Sequence, residues 1–147
     1  MTTLEMIDLL NMALQHERKH FNFYLQAMLT LVGPERLYLL PLLEKEMHGE
    51  LEHIRLFGDK ILSLGGTPGV EVPPYPSHIR RMDEVLKTAI EFEREVLAVY
   101  HKMYPLAEQY NEEHNDMSIV LLLEDQIEDS TKDVEEMEKL RRKANLS

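Results

Sequence analysis

Glu50 and His53 stand three residues apart in a stretch that is otherwise apolar at every third or fourth position. In a helix this spacing puts both on one face, one turn apart. The stripe around them runs Leu43, Met47, Glu50, Ile54, Phe57, Ile61, Leu64. Glu50 is therefore the one charge in a row that otherwise faces a core. A carboxylate beside an imidazole in such a place suits a metal-ligand pair or, failing that, a hydrated polar network. Two further carboxylates share this placement. Glu17 falls in the stripe Ile7, Leu10, Leu14, Glu17, Phe21, Tyr24, Met28, Leu31, and Glu93 in Met82, Leu86, Ala89, Glu93, Val96, Tyr100, Met103, Ala107.

The elements that carry these residues follow from caps and breakers. Thr2 with Glu5 three residues on forms a capping box opening a first helix, which Gly33-Pro34 ends. A second helix runs from about Glu35 to Leu64, with a kink or an irregular first turn expected from Pro41. Gly65 to Pro76 is the one extended linker, and twelve residues at ~3.3 Å each span ~40 Å. A helix of about thirty residues is ~45 Å long. The linker can thus cross nearly the whole length of helix two and start helix three parallel to it. Ser77 is the expected N-cap of helix three, which reaches about Asn111 and is bent by Pro105. Asn115 or Asp116 caps a fourth helix with stripe Ile119, Leu123, Ile127, Ser130, Val134, Met137, ending in the basic run Lys139–Lys143. Strand signals are almost absent. The expected fold is an all-α four-helix bundle of two antiparallel hairpins joined by a long crossover, forming one domain over residues 1–147.

Composition narrows the function. A charged content of 29% with 44% hydrophobic residues fits a folded protein that buries roughly two thirds of its unfolded surface. A net charge of −11 argues against nucleic-acid or anionic-membrane binding, since both require a basic face. The absence of cysteine removes disulfides, thiolate metal sites and cysteine nucleophiles. Thr2, Thr3 and Glu5 form no basic-plus-apolar run, so no signal peptide is expected, and the apolar runs Leu37–Leu43 and Ile119–Leu123 are too short to span a membrane, so a cytoplasmic protein is expected. The nine methionines read as core filler.

The chain reads as a duplicated helical hairpin. At an offset of 76, Leu10, Ala13, Leu14, Glu17, Arg18 and Tyr24 meet Leu86, Ala89, Ile90, Glu93, Arg94 and Tyr100. At an offset of 80, Leu42, Leu43, Glu44 and Ile54 meet Leu122, Leu123, Glu124 and Val134. The halves differ at the chemistry: Glu46, Glu50 and His53 correspond to Gln126, Ser130 and Asp133.

Depth follows by counting. Glu17 lies 16 residues before Gly33 and Glu50 lies 17 after it, so an antiparallel hairpin brings them level. Glu50 and Glu93 each lie about fifteen residues into parallel helices, so they too are level. Removing a carboxylate from water costs several kcal/mol even after relaxation, and a whole domain has only ~5–15 kcal/mol of net stability. No Lys or Arg falls on any of the four stripes. Three carboxylates with His53 are most economically held together by a divalent ion, and mixed oxygen and nitrogen ligation suits iron or manganese, with zinc an alternative. The competing reading is carboxylates hydrogen-bonded to Tyr24 and Tyr100.

Glu17 with Tyr24, Glu50-x-x-His53, the following Ser-Leu-Gly-Gly-Thr-Pro, and Glu93 resemble the ferritin-like superfamily, especially bacterioferritin, over all four helices. In its di-iron members a Glu from each of two helices and a Glu-x-x-His from each of the other two project into the core. The resemblance implies that Glu17, Glu50 and His53 hold one iron, that Glu93 belongs to a second, and that Tyr24 donates a hydrogen bond behind the ligands. It implies iron homeostasis and ferroxidase-type oxidation of Fe(II) by O₂ or peroxide. The second Glu-x-x-His falls on Ser130-x-x-Asp133, so Asp133 with its short arm is a weaker candidate ligand, and Ser130 reads as a small polar core residue. His20, one turn from Glu17, could replace the lost imidazole. Glu46 could line an access path or add a ligand, the plainer reading being a boundary residue. His16, His48, His78, His101 and His114 read as surface residues. Leu51 stands where bacterioferritin has its haem-ligating methionine, so no haem is expected. The few residues after helix four favour a homodimer through helices one and two over a 24-subunit shell. One or two irons per chain remain open. The alternatives are a non-catalytic single-metal binder and a degenerate bundle acting through protein partners.

Overall fold

The computed structural model describes residues 1–142; Lys143, the end of the expected basic run, lies outside them. Four helices follow in order: α1 (Thr3–Thr30), α2 (Arg36–Ser63), α3 (Met82–His114) and α4 (Ser118–Arg141). The capping box forms as expected: the Glu5 N–H donates to Thr2 Oγ1 at 3.1 Å, and the Thr2 N–H donates to the Glu5 carboxylate at 3.2 Å. Gly33 takes a positive φ of 93°, which a residue with a Cβ rarely adopts, and turns the chain from α1 into α2. The opening of α2 is irregular: Arg36, Leu37 and Tyr38 donate to carbonyls three residues back before the four-residue pattern begins at Leu39. The helix then continues through Pro41, as α3 does through Pro105.

Residue pairs give the directions. His53 meets Glu17, Tyr24 meets Glu93 and Lys60 meets Ser118, so α1 runs antiparallel to both α2 and α3, and α4 antiparallel to α2. Helices α2 and α3 are therefore parallel, which requires the long crossover. That segment is laced along α1. Asn11 donates to the Thr67 carbonyl and accepts from the Gly69 N–H at 2.7 Å, while Arg18 donates to the Gly69 carbonyl at 3.0 Å. Gly66 is required by close approach: an added Cβ would lie 2.8 Å from Ile7 Cγ2 and 3.2 Å from Ile61 Cγ2.

Helix α3 begins at Met82, four residues later than a Ser77 cap would place it. The carbonyls of Ser77, Ile79 and Arg80 instead accept from Gln26, Thr30 and the Val32 N–H at the end of α1, which keeps this stretch extended. At its other end Asn115, in the left-handed region at φ 53°, closes α3. Asp116 accepts from the Ser118 N–H at 3.0 Å, but the residue at the N-cap of α4 is Met117, one past the expected Asn115 or Asp116, and its side chain makes no capping bond.

The duplication is visible in burial. The buried residues Leu10, Ala13, Leu14, Glu17, Tyr24 and Ala27 of α1 fall on buried Leu86, Ala89, Ile90, Glu93, Tyr100 and Met103 of α3 at the offset of 76. Leu39, Leu43, Glu46, Glu50 and Phe57 of α2 fall on Ile119, Leu123, Gln126, Ser130 and Met137 of α4 at the offset of 80. Two apolar clusters result, one around Leu14, Phe57, Tyr100 and Leu123 and the other around Tyr24, Leu43, Leu86 and Met137. The polar residues lie in the layer between them. Among the described residues, no helix is long and apolar enough to cross a membrane.

Candidate metal centre

Glu17, Glu50 and Glu93 are each about 1% exposed, and His53 is buried beside them. His53 Nδ1 lies 3.2 Å from Glu17 Oε2 and 3.4 Å from Glu50 Oε2. His20, from the turn of α1 after Glu17, is also about 1% exposed; its Nδ1 lies 3.4 Å from Glu93 Oε1 and 3.7 Å from Glu50 Oε1. Glu50 thus turns one oxygen to each imidazole. Glu46 and Asp133 join Glu93 in a third group at the rim. Within each of the groups Glu17/Glu50/His53, His20/Glu50/Glu93 and Glu46/Glu93/Asp133, one ligand-type atom per residue lies within 4.8 Å of the others. Ligands bound at ~2.1 Å to one ion stand ~3.0 Å apart at adjacent octahedral corners and ~4.2 Å at opposite ones. The separations of 3.2, 3.4, 3.4 and 3.7 Å fall in that range. Glu17 Oε1, Glu50 Oε2 and both His20 nitrogens have no hydrogen-bond partner among the described residues. Such orphaned groups are uncommon in a folded core, and they fit a site shaped for an ion.

The electrostatics are those of charges out of water. Burial first, then Glu50, pushes the Glu17 carboxyl up to about 8. Glu46 is pushed up to about 9 by burial and by Asp133, and Asp133 up to about 7 by burial and by Glu93. Burial opposes charge on His53, but Glu17 and Glu50 outweigh it and raise the imidazole to about 11. His20 is likewise raised, burial being overcome by Glu93 and Glu50. Glu50 is held below the usual carboxylate range: burial and Glu93 act against its charge, while Glu17, His20 and His53 hold it. Protons on the imidazoles and on Glu17 compensate part of this charge, and a cation would displace them.

Around this layer, Tyr24 donates to Glu93 Oε1 at 3.1 Å. Tyr100, stacked on Phe57, has a buried hydroxyl with no partner among the described residues, so the expected tyrosine bond forms on one side. Ser130 is a buried small polar residue, as read from the sequence. Glu46 is buried to 7% exposure rather than lying at a boundary, because α2 is centred on Glu46, Glu50 and His53 and leaves Met47 and Ile54 at the flank. His16 is half-buried rather than a surface residue, and burial followed by Lys19 lowers its pKa. His48, His78, His101 and His114 are exposed. Lys19 departs from the expectation that no cation lies on a stripe. It is 7% exposed, but its Nζ lies 4.2 Å above the Phe92 ring and bonds Glu95 at 2.9 Å, so it neutralises none of the mid-bundle carboxylates. Sequence reasoning gave no signal for Asp129, off the α4 stripe, whose Oδ2 lies 3.6 Å from His53 Nε2. Nor did it single out buried Gln126. A cleft of about 570 Å³, lined by Glu46, Glu50, His53, Asp129, Lys132 and Asp133 among others, opens the layer to solvent between α2 and α4.

A bundle of two duplicated hairpins with carboxylates and imidazoles converging at mid-height defines a class, and comparison places the chain in it. The family model described as a ferritin-like domain matches residues 7–147, and the chain belongs to that family. A Bacillus anthracis structure described as a ferritin-like, diiron-carboxylate protein shares 30% identity with a TM-score of 0.85, covering 97% of this chain and 100% of the other. Two more distant structures share the fold. A dodecameric, bacterioferritin-related thioferritin from Bacteroides fragilis is 19% identical with a TM-score of 0.81, over 95% of this chain and 85% of that one. Rhodobacter capsulatus bacterioferritin, described with a metal-free dinuclear site and haem iron, is 21% identical with a TM-score of 0.76, over 94% and 84%. No functionally curated protein matches the sequence.

Proposed function

We propose that this protein binds iron between its helices and oxidises Fe(II) there with O₂ or peroxide. The observation that carries this is the enclosed Glu17/Glu50/His53 group with Glu93 beside it, unpaired by any Lys or Arg among the described residues. In this reading Glu17, Glu50 and His53 hold one ion and Glu93 belongs to a second. Iron so held supplies electrons to the oxidant. The chain's own residues fix the ligands, with Tyr24 orienting Glu93, and the two apolar clusters close the layer toward both ends of the bundle. The cleft between α2 and α4 is the access route, and its acidic side chains favour a cation. No haem is part of this reading: Leu51 replaces the methionine and sits about 43% exposed on the outer face of α2. A homodimer through α1 and α2 is supported by Leu29, Leu37 and Tyr38, which are 71%, 80% and 75% exposed.

A second reading is a non-catalytic single-metal binder, favoured by Ser130 and Asp133 where the twin of Glu50-x-x-His53 would stand. Metal analysis of protein purified without chelators separates the two: near two ions per chain supports the first, near one the second, and none refutes both. Manganese and zinc are measured in the same assay. Anaerobic addition of Fe(II) followed by O₂ should give absorbance growth faster than the protein-free control, and a rate equal to that control refutes the oxidation.

A further inference from the structure

The second half-site has lost its family ligands on α4, yet an imidazole faces it from α1. We infer that His20 ligates the second ion together with Glu50 and Glu93, so that both imidazoles of the centre come from the first hairpin and α4 provides none. The inference rests on the proposed metal-binding function and specifies its second position. Four independent observations support it.

His20 is about 1% exposed and neither ring nitrogen has a hydrogen-bond partner among the described residues, so its buried polar atoms are free to meet an ion. Its Nδ1 lies 3.4 Å from Glu93 Oε1 and 3.7 Å from Glu50 Oε1, distances suited to ligands around one ion, and makes a hydrogen bond to neither. The ring is fixed in this orientation. It stacks on Phe92 with centroids 5.6 Å apart and planes 11° from parallel, and Phe92 in turn packs edge-on against Phe23. The internal repeat shows that a histidine is not needed for packing there, because the residue related to His20 by the offset of 76 is buried Val96. The imidazole thus stands in the half whose partner lost one, on the side facing Glu93.

The rival position for a second ion is the rim group Glu46/Glu93/Asp133. It contains no imidazole and has no buried orphaned atom among the described residues. The His20 group contains both.

The test is a titration of the apo chain with Co(II), and anaerobically with Fe(II), comparing wild type, His20→Ala and Asp133→Asn, with ions per chain confirmed by metal analysis. Wild type should bind two ions. His20→Ala should keep the first with unchanged affinity and weaken the second by more than the ~10–100-fold cost of losing an outer hydrogen-bond partner. Asp133→Asn should cost less than His20→Ala. Two ions of unchanged affinity in His20→Ala, or a larger loss in Asp133→Asn, overturns the assignment of His20. A single ion in wild type overturns it too while leaving metal binding intact, and no ion refutes the proposed function itself. Ring-¹⁵N-labelled wild type keeps the question open to refutation if His20→Ala does not fold. Zn(II) should shift the imidazole signals of both His20 and His53, and a shift of His53 alone overturns the inference.

Discussion

Replacing Glu50 by alanine tests the centre at its point of greatest leverage. Its two carboxylate oxygens face different imidazoles, Oε1 toward His20 at 3.7 Å and Oε2 toward His53 at 3.4 Å. It belongs to both mid-bundle groups, so one substitution should remove both ions. An ion at 100 times its dissociation constant stabilises the folded state by about 2.7 kcal/mol, so two ions give about 5.4 kcal/mol. In a domain of about 150 residues each kcal/mol moves Tm by roughly 2–4 °C. Wild type should therefore melt roughly 10–20 °C higher with excess Co(II) than with chelator, and Glu50→Ala should show almost no difference.

The assay is a thermal melt of each protein with metal and with chelator. Each variant's own chelated Tm is its reference, because removing a buried carboxylate also changes the metal-free fold and can even stabilise it. A metal-dependent rise in Glu50→Ala equal to that of wild type would refute the bridging role and move the site elsewhere. A rise of half the wild-type size would mean that one ion is held without Glu50, as the rim group Glu46/Glu93/Asp133 would hold it, and would refute the bridging role as well.

Other outcomes follow from the same contacts. Tyr24→Phe removes the bond to Glu93 Oε1 and should lower the affinity of the ion nearest Glu93 by about 10–100-fold, with ion count and circular dichroism unchanged at saturation. Metal affinity should rise with pH from 6 to 8, because Glu17, raised to about 8, and His53, raised to about 11, hold protons that the ion must displace; calorimetry in buffers of different ionisation enthalpy counts them. In chelator the sign for stability is opposite. Glu17, Asp133 and Glu46 have folded values of about 8, 7 and 9, above their unfolded values, so their contribution is complete below the unfolded carboxylate range. It is lost as pH rises through the folded values, and Tm should fall between pH 6 and pH 9. Gly66→Ala should destabilise by about 1–3 kcal/mol in denaturant unfolding, since its Cβ would lie 2.8 Å from Ile7 in a packed corner. Gly49→Ala, whose Cβ meets nothing within 4 Å, should instead stabilise by about 0.5–1 kcal/mol.

The convergence of Glu17, Glu50 and Glu93 was legible because depth along a bundle is a matter of counting. Short turns fix where antiparallel helices start, and a rise of 1.5 Å per residue does the rest. Roll about the helix axis is different. A stripe read from apolar residues gives the mean direction of a face but not its width, and width depends on how many neighbours a helix has. Helix α1 lies against both α2 and α3 and is flanked by the crossover, so it buries a broad arc. That arc takes in Phe23, Ala27, Lys19 and His20, while Phe21 of the expected stripe is left at the edge. Helix α4 packs chiefly on α3, and Asp133 stays half-buried beside the cleft. The start of α3 was misplaced for a related reason: Ser77 can cap a helix, but the end of α1 takes the Ser77, Ile79 and Arg80 carbonyls first. The choice between His20 and Asp133 for the second ion therefore turns on lateral packing. The sequence offered both residues, and the width of the α1 face is what turns the imidazole in toward both Glu50 and Glu93, while the short carboxylate meets Glu93 and Glu46 at the rim.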